Sequence, residues 1–326
     1  MGDDDLTKTD FQHGRQAAAA VSLPGQGAAA LFVFLDGVGL APEGDRNPLS
    51  QVSMPHLERL LGGPLTLERL GECDGTDLVL RGLDACLGVP GVPQSATGQT
   101  TLFTGVNAAA LVGEHLTAYP TAALRQVIAE HSLLKGAAEA GKRAFLANAH
   151  SERFWEMIGQ GKRRLGASTL TALAAGLSIP NLEDLAAGQA VLWDLTHEIA
   201  SSYLQYDLPT LPAAEAGARL ARLAAEYDLV FFESFLPDLA GHGRIEPEWV
   251  LTRLDDFLGG ILAHRLPGTT LVLCSDHGNL EDISTKLHTQ NPVPLLAYGP
   301  GAGRFGAATD LTDVAPAILR LLTETN

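Results

Sequence analysis

Three apolar runs in this chain end in the same way. In "AALFVFLDGVG" the run closes on Asp36 before a glycine-rich turn, and in "TTLVLCSDHGN" it closes on Asp276 and His277. In "YDLVFFESFLPDLAGH" it leads within a few residues to Asp238 and His242. Uninterrupted apolar runs of this length are typical of parallel strands covered on both faces. Helical patterns separate them. "AAEAGARLARLAAEY" places Ala216, Leu220, Leu223, Ala224 and Tyr227 on one face, and "WVLTRLDDFLGGILAHRL" behaves likewise. "TAALRQVIAEHSLLKGAAEAG" predicts one long helix capped at Gly141, and "KRAFLANAH" another strand. Strand–helix alternation predicts an α/β fold, a three-layer sandwich around a mostly parallel sheet. Polar residues just past the strand ends are where such sheets place ligands.

Composition sets the outer limits. At 326 residues with 46% hydrophobic content, the chain can fill one large α/β core. Its net charge of −16, without a long basic run, argues against nucleic acid as a partner. An anionic substrate would need a local offset to that field, which bound metal ions would supply. Cys73, Cys86 and Cys274 have no metal-type spacing. Their odd number predicts reduced thiols and a cytoplasmic setting. No run approaches the roughly 18 apolar residues of a membrane span. "MGDDDLTKTD" has no basic segment ahead of an apolar one, so no signal peptide and no membrane association are expected.

Three regions are expected: a polar, then Ala/Gly-rich extension over 1–28, a metal-binding core over 29–150 and 208–326, and a small inserted cap over 151–207. The cap would hold Trp155, the basic triplet Lys162, Arg163 and Arg164, a break at Pro180 and a short strand "AVLWDL" containing Trp193.

The chemistry-bearing residues are Asp36, Asp238, His242, Asp276, His277 and His288. Mixed carboxylate and imidazole is the ligand set of zinc, manganese and similar ions. Asp238 and His242 are spaced to share one side of a helical turn. Each residue alone has a plainer explanation, such as a helix cap or a core histidine. Four separate segments delivering metal-type side chains to one sheet edge is a stronger pattern. A fifth segment, "PQSATGQTTLFTG", holds two hydroxyls, Ser95 and Thr97, in a turn before an apolar stretch. It is either a helix cap or the mounting of a nucleophile.

"LFVFLDGVG", "PQSATGQT", "PDLAGH" and "SDHGNLEDISTKLHTQNPVPLLAYGP" resemble the metal-site motifs of the alkaline phosphatase superfamily. The branch they resemble most is cofactor-independent phosphoglycerate mutase together with phosphopentomutase. The motifs span residues 30 to 300 and leave out the cap. The resemblance implies two divalent ions, manganese or zinc. One would be held by Asp36, Ser95, Asp276 and His277, the other by Asp238, His242 and His288. It also selects Ser95 over Thr97, because the mutases carry their nucleophile three residues before a glycine, here Gly98. Gln99 stands where those families carry histidine. Asn47 falls near a position used by relatives close to the first metal, and is a substrate-side candidate.

Arg163 and Arg164 are candidates to clamp a phosphate or carboxylate, and His115 to reach the site. Trp155 and Trp193 read as cap core, and His150, His197 and Asp194 as structural residues. The expected function is two-metal phosphoryl transfer on a small phosphorylated metabolite through a phosphoserine at Ser95. A short cap favours a phosphomonoesterase or phosphodiesterase, and the resembled branch favours a phosphomutase. Two other readings compete: a metal-independent serine ester hydrolase, though "QSATG" is not G-x-S-x-G, and a non-catalytic metal-binding protein.

Overall fold

A computed structural model describes residues 28–204 and 208–324. Residues 1–27 of the expected extension lie outside the described part. The sheet has strands β1 (Ala29–Leu35), β2 (Leu78–Leu83), β3 (Ala144–Leu146), β4 (Leu229–Ser234), β5 (Thr269–Cys274) and β6 (Val293–Tyr298). Their order is β2-β6-β5-β1-β4-β3. β1 runs parallel to both β4 and β5, with Phe32 opposite Phe231 and Val272. β3 is parallel to β4. β6 is antiparallel to its neighbours β2 and β5, and so runs against the other five strands.

The labelled helices are α1 (Ser95–Thr104), α2 (Ala122–His131), α3 (Leu133–Glu139), α4 (Glu152–Gly159), α5 (Ala167–Ala174), α6 (Ala213–Leu223), α7 (Leu236–Gly241), α8 (Pro247–His264) and α9 (Val314–Thr323). On one face, Phe32, Phe34 and Phe231 pack with Leu102, Phe103, Ile128, Leu134 and Ile318 of α1, α2, α3 and α9. On the other, Val33, Val230 and Phe232 meet Leu220, Leu254, Phe257 and Ile261 of α6 and α8. Two covered faces explain the uninterrupted apolar runs at 31–35 and 229–232.

Helix α1 is the element that matters most for the site. Its Phe103 ring lies 4.8 Å from Phe231 and 5.1 Å from Phe34, edge-on to both. Burying such a ring stabilises by about 1.5–3 kcal/mol. The threonines of α1 are buried without unmet hydrogen bonds, because Thr100, Thr101 and Thr104 donate to the carbonyls of Ala96, Thr97 and Thr100. The helix start is thereby fixed against the sheet.

Two expectations change. The single long helix is two, α2 and α3, because Ser132 interrupts it. The Ser132 hydroxyl accepts from Lys135 N–H as the cap of α3 and donates to the Thr171 carbonyl. The segment expected as a cap is in large part built into the body. Ala167 and Ala172 of α5 belong to the same core as Phe32, and Val191 and Leu195 to the core on the other face. "AVLWDL" is not a strand. It extends the β3 edge by one bridge, Val191 N–H donating to Ala147 and Ala149 N–H to Val191. Only Ala149, Leu185, Ala190, Leu192 and Ala200 form a separate small cluster there. Among the described residues, no helix is long and apolar enough to cross a membrane.

Candidate metal centre

The strand ends deliver the ligand-type residues to one edge. Asp36 follows β1, Asp276 and His277 follow β5, and Asp238 lies on α7 just after β4, with His242 at its C-cap. His288 lies on the loop into β6, which starts at the same edge because β6 runs in reverse. Two glycines permit the convergence. Gly37 has φ +74°, and a Cβ there would sit 2.8 Å from the backbone of Asp238. A Cβ on Gly98 would sit 2.8 Å from the Asp276 carbonyl oxygen, so α1 approaches β5 only with glycine at that position.

All seven expected residues meet. Asp238, His242 and His288 bring ligand atoms within 4.8 Å of one another, and so do Asp36, Asp238 and His277. Asp238 therefore faces both groups, where the resemblance had implied only the second. Asp276 Oδ2 lies 3.5 Å from His277 Nε2. Ser95 Oγ lies 3.0 Å from the same nitrogen.

These residues fit divalent cations on three observations. First, His242 Nδ1–H donates to Lys286 O at 2.8 Å and His288 Nδ1–H to Pro93 O at 3.0 Å. Those bonds leave both Nε2 lone pairs free, and the two nitrogens face each other at 3.3 Å beside Asp238. Second, the buried oxygens Asp36 Oδ1 and Asp276 Oδ2 accept no hydrogen bond and have only His277 Nε2 in ion-pair range. Third, three oxygens converge on that one nitrogen, which carries at most one proton.

The electrostatics agree. Burial, with the charge of Asp36 next, pushes the Asp276 carboxyl well above its ordinary range. Burial alone would lower His277, but Asp276 and Asp36 outweigh it and push the imidazole up to about 10. Burial would raise Asp238, yet the neighbouring His288 and the charge of His277 outweigh it and hold the carboxyl at about 2.

The two hydroxyls at the start of α1, Ser95 and Thr97, have different fates. Ser95 is the first residue of α1, preceded by Gln94 as a cap without a side-chain bond, so its hydroxyl does not cap the helix. It is half-buried and turned to His277. Thr97 is fully buried, donating to Gln94 O and accepting from Leu116 N–H, both at 3.2 Å. Thr97 holds the turn and has no free hydroxyl to react. Gln99 is buried and donates its amide to Asp36 Oδ2 at 3.2 Å.

Other candidates are not brought to the cluster. Asn47 is buried and caps the Pro48–Gln51 helix. Its amide donates to Ala41 O and Pro42 O and accepts from Leu49 N–H, which gives it a structural part as a cap. Arg163 and Arg164 are exposed, and Arg163 lies 5.5 Å from the Phe154 ring. Neither is ion-paired to any of the seven. His115 ties its loop to Val89 O at 3.2 Å, beside the Ser95 turn but outside the ligand group.

Sequence reasoning missed the residues that hold the ligands. Asn279 donates to Asp238 Oδ1 at 2.8 Å. Buried Glu281 accepts from Gly39 N–H, Asn279 N–H, Asn291 Nδ2 and the Thr289 hydroxyl. Ser275 Oγ accepts from Val38 N–H. The available signal was the polar run "NLED" directly after the Asp-His-Gly turn, too rich in side-chain acceptors to be a bare connection.

Residues 187–325 match a family model described as the Metalloenzyme superfamily. Curated relatives include the 2,3-bisphosphoglycerate-independent phosphoglycerate mutases of Dinoroseobacter shibae, 35% identical over 129 residues, and Paracoccus denitrificans, 36% identical over 129 residues. Each match covers 36% of this chain and 26% or 25% of the relative, so the chain spans about a quarter of the length of those relatives. Similar solved structures include the PH0037 protein from Pyrococcus horikoshii, with a TM-score of 0.55 at 14% identity over 92% of this chain and 98% of that one. The alkaline phosphatase from the Antarctic bacterium TAB5 has a TM-score of 0.50 at 15% identity, over 92% of this chain and 100% of that one. Over residues 187–325 the chain is thus similar to the Metalloenzyme superfamily, and its fold is that of the alkaline phosphatases.

Proposed function

We propose that this protein is a two-metal phosphoryl-transfer enzyme that hydrolyses a small phosphorylated substrate through a phosphoserine at Ser95. The observation that carries the proposal is the placement of Ser95. A half-buried hydroxyl at the first position of a rigid helix lies 3.0 Å from His277, beside six carboxylate and imidazole ligands. Asp36, Asp238, Asp276 and His277 would hold one divalent ion with Ser95 beside it, and Asp238, His242 and His288 the other. Manganese and zinc both suit this donor set. When bound, such ions favour the serine alkoxide and neutralise charge on the attacking and leaving oxygens.

Within the chain, α1 aims Ser95 Oγ, and Asn279 orients Asp238. The carbonyls of Pro93 and Lys286 fix the His288 and His242 tautomers. The Ser95 hydroxyl gives up its proton to solvent as its oxygen bonds to phosphorus and the bond to the leaving oxygen breaks, and that oxygen departs as an alcohol after taking a proton from solvent. Water then attacks the phosphoserine phosphorus, releasing phosphate and restoring the hydroxyl. Transfer to water is favoured over return to the same molecule because much of 151–207 is built into the body, leaving less chain to enclose a waiting product. The names of the curated relatives support the second reading, a phosphomutase.

The Ser95–His277 contact also invites a serine esterase reading. In a catalytic triad the carboxylate binds the imidazole nitrogen opposite the serine. Here Asp36 and Asp276 approach the same Nε2 as Ser95, and Nδ1 faces Gly278 O at 3.4 Å. That arrangement suits a ligand shell and not a triad.

The test is elemental analysis of purified protein with a panel of phosphomonoesters, phosphodiesters and phosphosugars. Bound divalent metal, turnover abolished by a chelator and restored by manganese or zinc is the expected result. Phosphate release against isomer formation separates hydrolase from mutase. No bound metal, and no turnover after metal addition, would overturn the proposal.

A further inference from the structure

Four of the ligand-type residues are held by partners that carry no charge. Asn279 Nδ2 donates to Asp238 Oδ1, and the carbonyls of Lys286 and Pro93 accept from His242 and His288. The fourth partner is Gln99, whose Nε2 donates to Asp36 Oδ2. The first three lie on loops. Gln99 lies on α1, the helix that carries Ser95.

The two oxygens of Asp36 are thereby divided. Oδ2 takes the Gln99 amide at 3.2 Å, and among the described residues no other hydrogen bond reaches it. Oδ1 is buried, accepts no hydrogen bond and lies 3.2 Å from His277 Nε2. Only the N–H side of an amide can face a carboxylate, so this contact also fixes the orientation of Gln99. With Oδ2 engaged, Oδ1 is the oxygen left for an ion beside His277.

Helical spacing explains how α1 reaches Asp36. Gln99 follows Ser95 by four positions, about one turn, so the two leave the same face of the helix. Gly98 lets that face come close, since a Cβ there would sit 2.8 Å from Asp276 O. Every residue of α1 from Ala96 to Thr104 is buried, so the base from which Gln99 extends is held by the core.

The neutrality of the partner matters. A lysine or arginine here would offset the charge of Asp36 and stand in for a metal ion. An amide orients the carboxylate and leaves its charge for the cation. That charge is felt at Asp276, where it adds to burial in raising the carboxyl. Without the amide, a carboxylate only 6% exposed would have no donor on either oxygen.

We propose that Gln99 is a positioning residue that acts through Asp36, turning Oδ1 toward the ion assigned to Asp36, Asp238, Asp276 and His277. The proposal rests on the two-metal reading above for the presence of that ion, and not on the chemistry at Ser95.

The experiment is calorimetric titration of the metal-free full chain with manganese or zinc. Gln99→Met, close in size but without a donor, should weaken the Asp36 ion by about 10- to 100-fold. The ion of Asp238, His242 and His288 should stay within about threefold. A His242→Ala background, which disables that second site, identifies the event that is lost, and Gln99→Met should keep its full effect there. In an Asp36→Ala background it should cost nothing further, because Gln99 has no oxygen left to hold. Thr101→Val removes another buried donor of α1. It should lower the melting temperature and leave both affinities unchanged. Circular dichroism checks that Gln99→Met is folded. Gln99→Asn, which keeps the amide on an arm one carbon shorter, should weaken the same ion and carries the test where the methionine variant fails to fold. Equal loss at both sites, an unchanged Asp36 ion, or a full effect of Gln99→Met in the Asp36→Ala background overturns the proposal. A wild type that binds neither metal overturns it together with the two-metal reading, whereas two bound ions with unchanged affinities in Gln99→Met remove only the role of Gln99. Selective loss of one ion without turnover of any phosphoester keeps the role of Gln99 and removes the phosphoserine.

Discussion

Glu281 and Asp276 are both buried carboxylates at the same sheet edge, and they are treated in opposite ways. Glu281 receives four donors from the chain, two on each oxygen. Asp276 has one long contact from Gly37 N–H at 3.5 Å, and its other oxygen accepts no hydrogen bond. A carboxylate fully supplied with donors is stable as an anion and serves as scaffold. One left short, facing Asp36 and beside histidines, is stable as an anion only with a cation at hand. A third carboxylate, Glu233, shows another solution. It is buried at the end of β4 with the Ser168 hydroxyl as its side-chain donor, and burial pushes it up to about 8. The three differ in how burial is met: Glu281 by protein donors, Glu233 by a retained proton, and Asp276 by neither, which is why it would suit a bound cation.

The largest expected effect tests the use of the metal-type group. Ser95→Ala should lower turnover by at least about 10³-fold. Elemental analysis should find its metal content unchanged, since the other ligands remain. Glu281→Ala should destabilise the protein by about 3–5 kcal/mol with or without metal, because several buried donors lose their acceptor. Urea unfolding with and without added ion measures this. Asp276→Asn should separate from it in sign. It should weaken metal affinity by about 10²-fold or more while raising the melting temperature of metal-free protein, because a buried, repelled charge is gone. Equal destabilisation by Glu281→Ala and Asp276→Asn in the metal-free state would erase the contrast.

Glu233 gives a pH test. Its folded pKa lies above the ordinary 4.5, since burial outweighs the Ser168 hydrogen bond and Asp36 adds to it. Its contribution is therefore complete below about 4.5 and lost as pH rises to about 8, where the folded state must ionise it. Glu233→Gln should flatten that decline, gaining about 4 kcal/mol relative to wild type at pH 8.5 compared with pH 5. The smallest effect concerns the turn. Thr97→Val should cost about 1 kcal/mol and leave chemistry at Ser95 largely intact, as a melt paired with a turnover assay would report.

The sheet and its ligand edge were legible because strands covered on both faces must be apolar throughout, so Asp36 and Asp276 stand out at their ends. The choice between Ser95 and Thr97 was not legible from the turn itself. Thr97 is occupied by Leu116, a residue 19 positions away in a loop without pattern. The break at Ser132 was hidden for a similar reason, since its hydroxyl partner lies 39 residues on at Thr171. Asn279 and Glu281 escaped notice because their work is to support other residues, and Gly39, which bonds Glu281, lies 242 positions earlier. The capping part of Asn47 was not legible, because a buried asparagine capping a short helix is identical in sequence to one facing a substrate. The α5 segment misled because an alanine-rich helix gives little sign of which surface it buries.

The central claim is that Ser95, held beside the metal-type cluster, carries the phosphoryl group. Acid quenching of the metal-loaded enzyme during turnover of a phosphomonoester, followed by peptide mapping, tests it most directly. The account predicts phosphate on the peptide containing Ser95, absent from Ser95→Ala and from chelator-treated protein. Turnover with no label on the protein, or label on another residue, would contradict it.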